Sequence, residues 1–191
     1  MMTKRRRETR EISSNFTTRE DNNKKIIAGY FSVFDSNYEI DDGLSESIDL
    51  HAFDNTLDND IRCLINHDTT LVLGRNKAGT LRIHTDAHGL YCEVEINEND
   101  QDAMNIYARV LRGDVNQCSM GFYVRSEEHE IKDDGSCHWT IKDIDLYEVS
   151  ICTFPAYKNT SINARNDDLK VIKKRENDKF KQKMLEKLGG K

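Results

Sequence analysis

Three polar residues of this chain are of the types that carry out nucleophilic catalysis in hydrolases. His67 lies in the tripeptide NHD directly after an apolar run, Ser119 lies in CSMGFYV, and Glu148 lies in LYEVS. A serine hydroxyl can attack a carbonyl carbon, an imidazole can take its proton, and a carboxylate can orient the imidazole. Each residue taken singly also has a structural explanation, as a histidine at a strand end or as a serine or glutamate facing solvent. His67 and Ser119 are 52 residues apart, so only the fold can bring them together.

The residues around Ser119 have the alternation of a β-strand. Cys118, Met120 and Phe122 share one face, which the apolar pattern identifies as the core face. Ser119 and Gly121 share the other, and a glycine beside the hydroxyl allows another backbone to approach closely. The pattern predicts an exposed serine over which an extended peptide can lie. Cys118 is the stronger intrinsic nucleophile, but it points into the predicted core.

A metal site is the second chemistry that the residues allow. His84 and His88 flank a predicted turn, and with His67 and Asp68 they form a candidate ligand set for a metal-dependent hydrolase. No predicted helix presents His84 and His88 together, which favours two surface histidines instead. Phosphate-binding loops, GxSxG elbows, HExxH helices and dinucleotide-binding glycines do not occur in the sequence. Their absence argues against the common nucleotide enzymes and the α/β-hydrolases.

The elements that would position these residues are mostly strands, and we expect six or seven of them. Gly113 is placed as the C-cap of one amphipathic helix, which begins near Asn99 and buries apolar residues at three- and four-residue steps. The predicted strands are 25–34, 61–65, 80–84, 90–96, 115–125 and 138–154, and the apolar residues of the helix are Ala103, Ile106, Tyr107, Val110 and Leu111. The sequence therefore predicts a β-rich α+β domain, forming a partly closed barrel decorated by helices.

A second helix is predicted from about Asp168 to Leu188. Phe180, Met184 and Leu188 lie at i, i+4 and i+8, and Leu185 widens this apolar stripe among lysines. Two interpretations are equally good: an appended helix that binds a partner, or a helix that packs on the barrel.

Charge divides the chain into three parts, which we take as the domain organisation. Residues 1–24 carry a net +3 and are predicted to be a disordered basic tail, residues 25–164 carry −14 and form the domain, and residues 165–191 carry +5. An acidic body argues against nucleic-acid recognition as the main function. No apolar run is long enough to span a bilayer, and no apolar segment follows the basic N-terminus as in a signal peptide.

The five cysteines do not form a recognisable metal or disulfide motif. They are widely scattered and no CxxC pair occurs among them. Most of them lie in apolar runs, where a free cysteine behaves as a small buried hydrophobic residue. This usage predicts free thiols in a reducing, intracellular protein.

Six short motifs, in this order, give the chain its resemblance to a known family. They are GYFSVF at 29–34, HAF at 51–53, NHD at 66–68, GL at 89–90, SMGF at 119–122, and LYEVS followed by FPA over 146–156. Together they resemble the prohead (capsid maturation) proteases of tailed bacteriophages, which share the fold of the herpesvirus assemblins. The likeness covers residues 25–165. One departure is His51, which stands where the family usually has glycine.

The resemblance implies a serine endopeptidase and a catalytic triad. It assigns the general base to His67 and the nucleophile to Ser119, and it places Glu148 as the third member, with His138, Asp143 and Asp145 as competitors. It implies no cofactor and no metal. For His67 to leave the core face of its strand, that strand must end before it, which we expect.

The resemblance also implies substrates and a location. The substrates would be the scaffold, the scaffolding segment of the major capsid protein, and the protease itself, and a homodimer is allowed. The protein would act in the host cytoplasm, packaged inside the prohead and away from membranes. A non-catalytic β-barrel module for scaffolding or capsid assembly is the alternative function.

Overall fold

Eleven strands in two sheets, and two α-helices, make up the part of the chain that a computed structural model describes: residues 7–13, 16–21, 24–34, 36–154 and 158–189. The strands are β1 Arg7–Ser13, β2 Thr17–Asp21, β3 Lys24–Val33, β4 Tyr38–Asp41, β5 Leu44–Ile48, β6 Arg62–Ile65, β7 Asp68–Arg75, β8 Leu81–Thr85, β9 Gly89–Glu95, β10 Gln117–Ile131 and β11 Cys137–Cys152. The helices are α1 Gln101–Arg112 and α2 Lys158–Gly189. The strand-rich α+β class is confirmed.

The larger sheet is organised around the long hairpin of β10 and β11. The hairpin turn lies between Ile131 and Cys137, and Gly135 in this turn has a positive φ of 85°. β1 pairs with the outer edge of β10, while the other edge of β11 is shared by two short parallel partners. β5 pairs with the first part of β11 and β6 with its last part. β11 is therefore the single strand that separates β10 from the end of β6 and from the turn that follows it.

The smaller sheet has the order β2-β3-β9-β8 and packs its apolar face onto the larger one. The shared core includes Phe31, Phe53, Leu90, Phe122 and Val149, all at most 2% exposed. In α1 the N-cap is Asp100, not Asn99, and its side chain accepts hydrogen bonds from the backbone N–H groups of residues 102 and 103. Gly113 is the C-cap as predicted, with φ 86°. Leu111 was predicted to be buried and is instead 63% exposed.

The expectation of a partly closed barrel with six or seven strands is wrong in two respects. Both sheets end in edge strands among the described residues, so they do not close on each other. The strands that were not predicted are β1, β2, β4, β5 and β7. Most of these are short or polar, like β2 with the sequence TTRED, and so lack the apolar alternation from which strands are predicted.

The N-terminal segment, predicted to be disordered, contributes two strands. β1 is antiparallel to β10, and β2 is antiparallel to β3. Arg10 in β1 is 6% exposed and pairs with Glu46 of β5, to which its Nη2 donates a hydrogen bond of 2.8 Å. Arg10 also pairs with Glu8 of its own strand. A chain segment with few apolar residues therefore forms a strand through backbone pairing and buried ion pairs.

Helix α2 begins ten residues before the predicted start, and its first part is packed on the body. Arg165 is 1% exposed, pairs with Glu46 and Glu127, and lies over the ring of Trp139 at 4.9 Å. Leu169 and Ile172 extend this packing. The stripe residues of the later part are exposed, with Phe180 at 64%, Met184 at 45% and Leu185 at 68%. The side chain of Leu188 lies outside the described residues. No helix in the described part of the chain is both long and apolar enough to cross a membrane.

Glu46 is buried between two arginines that come from opposite ends of the chain. Burial alone would raise the pKa of its carboxyl group, but the charge and hydrogen bonds of Arg10, followed by those of Arg165, outweigh it and hold the pKa below its usual value. A carboxyl group whose pKa is lower in the folded protein stabilises the fold above its unfolded pKa. This contribution is lost as the pH falls through the folded pKa.

We therefore expect Glu46→Gln to lower the free energy of unfolding at neutral pH by about 3 kcal/mol, since breaking a buried pair leaves charge uncompensated. The loss should shrink as the pH is lowered through the acidic range in which Glu46 itself becomes protonated. Urea unfolding at a series of pH values measures both effects. Glu39→Gln, at an exposed position of β4, is the matched control. An equal loss at all pH values would mean that Glu46 acts through packing and not through its charge.

Candidate active site

The turn between β6 and β7 places His67. Ile65 and Asp68 are paired across the hairpin, so Asn66 and His67 alone form the loop, with φ values of 51° and 61°. Two positive φ values are the signature of the tight hairpin turn in which Asn-Gly is preferred. The strand ends before His67, as predicted, and the left-handed backbone turns the imidazole away from the core. The histidine side chain is 21% exposed.

Asn66 fastens this turn to the end of β11. Its backbone N–H donates to the carbonyl of Ile151 at 3.0 Å, and its Oδ1 accepts from the N–H of Thr153 at 2.8 Å. Asp68 of the NHD motif has a local role, since its Oδ1 accepts from the backbone N–H and the hydroxyl of Thr70. The motif therefore supplies the candidate base His67 and two residues that shape the hairpin around it.

Glu148 is the carboxyl group that the structure places against His67. His67 Nδ1 and Glu148 Oε1 are 2.6 Å apart, and the glutamate side chain is 3% exposed. The second carboxyl oxygen accepts a 2.6 Å hydrogen bond from the hydroxyl of Ser150. The backbone N–H of His67 donates to that same hydroxyl at 3.2 Å. Ser150 thus joins the carboxyl group of Glu148 to the backbone of the histidine turn.

Gly121 makes room for this arrangement from the neighbouring strand. It is paired with Glu148 in the β10–β11 register, just before a bulge. A Cβ at position 121 would collide with Oε1 of Glu148 and with the hydroxyl of Tyr147. The close approach anticipated from the sequence is therefore made by side chains of β11, and any larger residue would displace the carboxyl group from His67.

Ser119 lies on the same face as Ser150, its direct partner across β10 and β11. Side chains of directly opposed residues have Cβ atoms about 5 Å apart, so Ser119 borders the His67–Glu148 pair. Two features differ from the sequence-based expectation. Ser119 is fully buried, not exposed, and its Oγ has no hydrogen-bond partner. Cys118 points into the core as predicted, and its thiol contacts the carbonyl of Tyr30 at 3.2 Å.

Cys152 is a site residue that the sequence analysis did not select. Its Sγ lies 3.9 Å from Nε2 of His67, the ring nitrogen on the far side from Glu148. Strand alternation could have found it, because it follows Glu148 and Ser150 at two-residue steps on one face of β11. All five cysteines are buried thiols. The buried-thiol prediction is therefore correct, and burial raises the pKa of the Cys63 and Cys92 thiols.

The three competitors of Glu148 have other partners or positions. His138 contacts the hydroxyls of Ser45 and Ser47 at 2.8 and 2.9 Å, at the opposite end of β11. Asp145 pairs with Arg125 at 3.0 Å. Asp143 is five residues before Glu148, about 17 Å along an extended strand.

The residues of the alternative metal site do not come together. His84 and His88 are exposed in the β8–β9 hairpin, where their rings lie against Tyr91 and Tyr30. Among the described residues, no group of three or more His, Cys, Asp or Glu side chains is arranged to hold a metal ion. The set proposed from the sequence, which adds His67 and Asp68 to these two, is thus not a cluster in the fold.

Comparison with known proteins identifies the family of this chain. The family model described as caudovirus prohead serine protease matches residues 13–175. The chain belongs to this family. It is 30% identical over 163 residues to the prohead protease of enterobacteria phage HK97, and the match covers 82% of this chain and 68% of the relative.

A solved structure of the bacteriophage T4 capsid assembly protease gives a weaker structural match. It has a TM-score of 0.44 and 8% sequence identity, and the match covers 76% of this chain and 98% of the T4 chain. The family assignment rests on the two sequence matches, and with it the chain is a prohead protease homologue of the capsid-maturation type.

The hydrogen bonds of Ser150 give a first prediction for this protease. Ser150→Ala should lower kcat for peptide cleavage by about 10- to 100-fold with little change in KM, because a hydrogen bond to a charged group contributes about 1.5–3 kcal/mol. Steady-state kinetics on a peptide substrate measures both constants. Ser126→Ala, at an exposed position of β10, is the control. A raised KM at unchanged kcat would instead place Ser150 in substrate binding.

Proposed function

We propose that this protein is a serine endopeptidase that matures the phage prohead, with Ser119 as nucleophile, His67 as general base and Glu148 as the residue that orients the histidine. The observation that carries the proposal is the 2.6 Å contact between His67 Nδ1 and Glu148 Oε1, formed one strand away from Ser119. A carboxyl group at Nδ1 favours the tautomer whose proton is on Nδ1, so that the lone pair on Nε2 can accept a proton. This is the arrangement that a serine nucleophile requires.

The reaction would proceed through an acyl-enzyme. Ser119 Oγ attacks the scissile carbonyl carbon while its proton passes to Nε2 of His67, which then gives the proton to the leaving amine as the C–N bond breaks. Water, activated by the same nitrogen, hydrolyses the ester. The proposal requires the Ser119 side chain to approach Nε2, because in this structure its Oγ is unbonded. Such hydrogen bonds commonly tighten only when substrate is bound.

The substrates that we propose are the scaffold, the scaffolding segment of the major capsid protein, and the protease itself. Confinement with these substrates inside the prohead, assembled in the host cytoplasm, would give a high effective concentration and reduce the need for tight binding. The basic segments at both ends would contact acidic capsid components. The same proposal includes a homodimer, which sedimentation analysis of an inactive variant would detect.

The test separates the serine mechanism from its alternatives without any mutation. The full chain is incubated with its cognate capsid protein, and intact masses are recorded with no addition, with a chelator, or after treatment with a fluorophosphonate. We expect cleavage that the chelator does not affect and that the fluorophosphonate abolishes, with its mass added to the peptide that contains Ser119. Loss of activity with chelator would support a metal hydrolase. Absence of any cleavage in assembled proheads would favour the scaffolding module.

A further inference from the structure

The strand β1 lies next to the proposed nucleophile, and it has no role in the proposed mechanism. It is the edge strand of the larger sheet and pairs with β10 from Gln117 to Tyr123. In this register residue 11 lies directly opposite Ser119. The seven residues of β1 therefore cover the whole stretch of β10 that flanks the serine.

Without β1, this stretch of β10 would be a free strand edge beside the active site. A free edge presents a row of backbone N–H and C=O groups, and an extended peptide binds such an edge by adding itself as a further strand. The peptide backbone would then run past Ser119 in the position that β1 now holds. The fold thus contains a peptide-binding edge that is filled by a segment of the same chain.

The state of Ser119 agrees with a filled, inactive arrangement. Its side chain is fully buried, and its Oγ makes no hydrogen bond. A buried hydroxyl with no partner is destabilising, and a functional site would offset this loss once substrate is bound. A scissile carbonyl cannot reach the hydroxyl in this arrangement.

The contacts of β1 also suit a segment that can leave. Among the β1 side chains that the structure describes, the buried ones are Glu8 and Arg10, and both form ion pairs. When Arg10 departs, Glu46 keeps its pairing with Arg165. Release of β1 therefore does not leave the buried carboxyl group of Glu46 without a counter-charge.

We propose that the β10 edge from Gln117 to Tyr123 is the docking surface for an extended peptide substrate, and that β1 occupies it in cis until substrate displaces it. This inference rests on the proposed protease function and adds the surface on which substrate binds. It predicts that any treatment that holds β1 on β10 blocks cleavage.

A reversible disulfide tests this in the full chain. Residues 7 and 123 are directly opposed in the register, and opposed Cα atoms of antiparallel strands lie about 4.5–5.5 Å apart, within the range of a disulfide. The double variant Arg7→Cys/Tyr123→Cys is assayed on the cognate capsid protein before and after reduction. The five native thiols are buried and so compete little with the new pair. Each single variant, treated with the same oxidant, is the control.

We expect the oxidised double variant to cleave at least tenfold more slowly than its reduced form, while the single variants are unaffected by oxidant. Equal rates in the two forms would overturn the proposal, since β1 would then be a permanent strand. Failure of the disulfide to form, judged by thiol titration, would contradict the placement of β1 on β10. If wild type itself cleaves nothing, the protease function fails. If wild type cleaves but the reduced double variant does not, the cause is the loss of the Tyr123 side chain. The Tyr123→Cys single variant would then show the same loss of activity.

Discussion

Ser119→Ala is expected to lower the rate of capsid-protein cleavage by about 10⁶-fold, the loss typical of removing a serine nucleophile from a triad. The substitution deletes one oxygen that has no hydrogen-bond partner in this structure, so it leaves no orphaned partner in the fold. Wild type and variant are expressed with the cognate capsid protein, and intact masses report trimming of both the capsid protein and the protease.

This experiment discriminates between a serine, a cysteine and a metal mechanism, because the candidate residues for these mechanisms lie at different places in the fold. Ser126→Ala is the matched control, a serine of the same strand at an exposed position. We expect Ser119→Ala to unfold at the same urea concentration as wild type or a higher one, since a buried unsatisfied hydroxyl is removed. Cleavage that survives in Ser119→Ala would move the chemistry to a cysteine or a metal. Among the cysteines, Cys152 near His67 would then be tested before Cys118, whose thiol faces the core.

The sequence predicted strands correctly where apolar residues follow a pattern that is typical of a strand packed on the core. The six predicted strands, β3, β6, β8, β9, β10 and β11, all occur, and each contributes buried apolar residues to one core. Glu148 and Ser150 lie on one face of β11, as the two-residue period of a strand requires. Gly113 was placed correctly because helix C-caps commonly require the left-handed backbone that glycine adopts.

Other features could not be read from the sequence, because they depend on contacts between distant segments. β1 is a polar segment that becomes a strand only because β10 offers it an edge. Burial of Ser119 likewise arises from the tertiary arrangement, since local alternation assigns a face and cannot say what covers it. Arg165 was counted with a basic tail, yet Glu46 and Trp139 make it one of the most buried side chains.

One long strand explains how the candidate site is assembled. β11 carries Glu148 and Ser150, pairs with Ser119 of β10 on one side, and pairs with β6 on the other. Because β6 ends at Ile65, the next two residues form the turn that brings His67 over the same face. The relative positions of the three proposed catalytic residues are therefore set mainly by backbone pairing to β11. Side-chain contacts then adjust them.

Substitutions of His67 in the turn between β6 and β7 are expected to have the second large effect. Two of them should lower activity equally but differ in the free energy of unfolding. His67→Ala and His67→Gly both remove the imidazole, so each should lower cleavage by about 10⁶-fold. They differ in the backbone that they prefer. Position 67 has φ 61°, a left-handed conformation that costs an ordinary residue about 1–2 kcal/mol and glycine little.

His67→Gly should therefore unfold at a higher urea concentration than His67→Ala, by about 1 kcal/mol in the free energy of unfolding once the greater flexibility of unfolded glycine is subtracted. Both variants leave Glu148 without the imidazole, so this loss cancels in the comparison and only the turn remains. Equal stability of the two would mean that residue 67 does not adopt the left-handed turn. Substantial cleavage by either would mean that another group serves as the base. If His67 is the general base that we propose, its left-handed backbone is a loss of stability that accompanies catalysis, because Asn-Gly would suit this turn better.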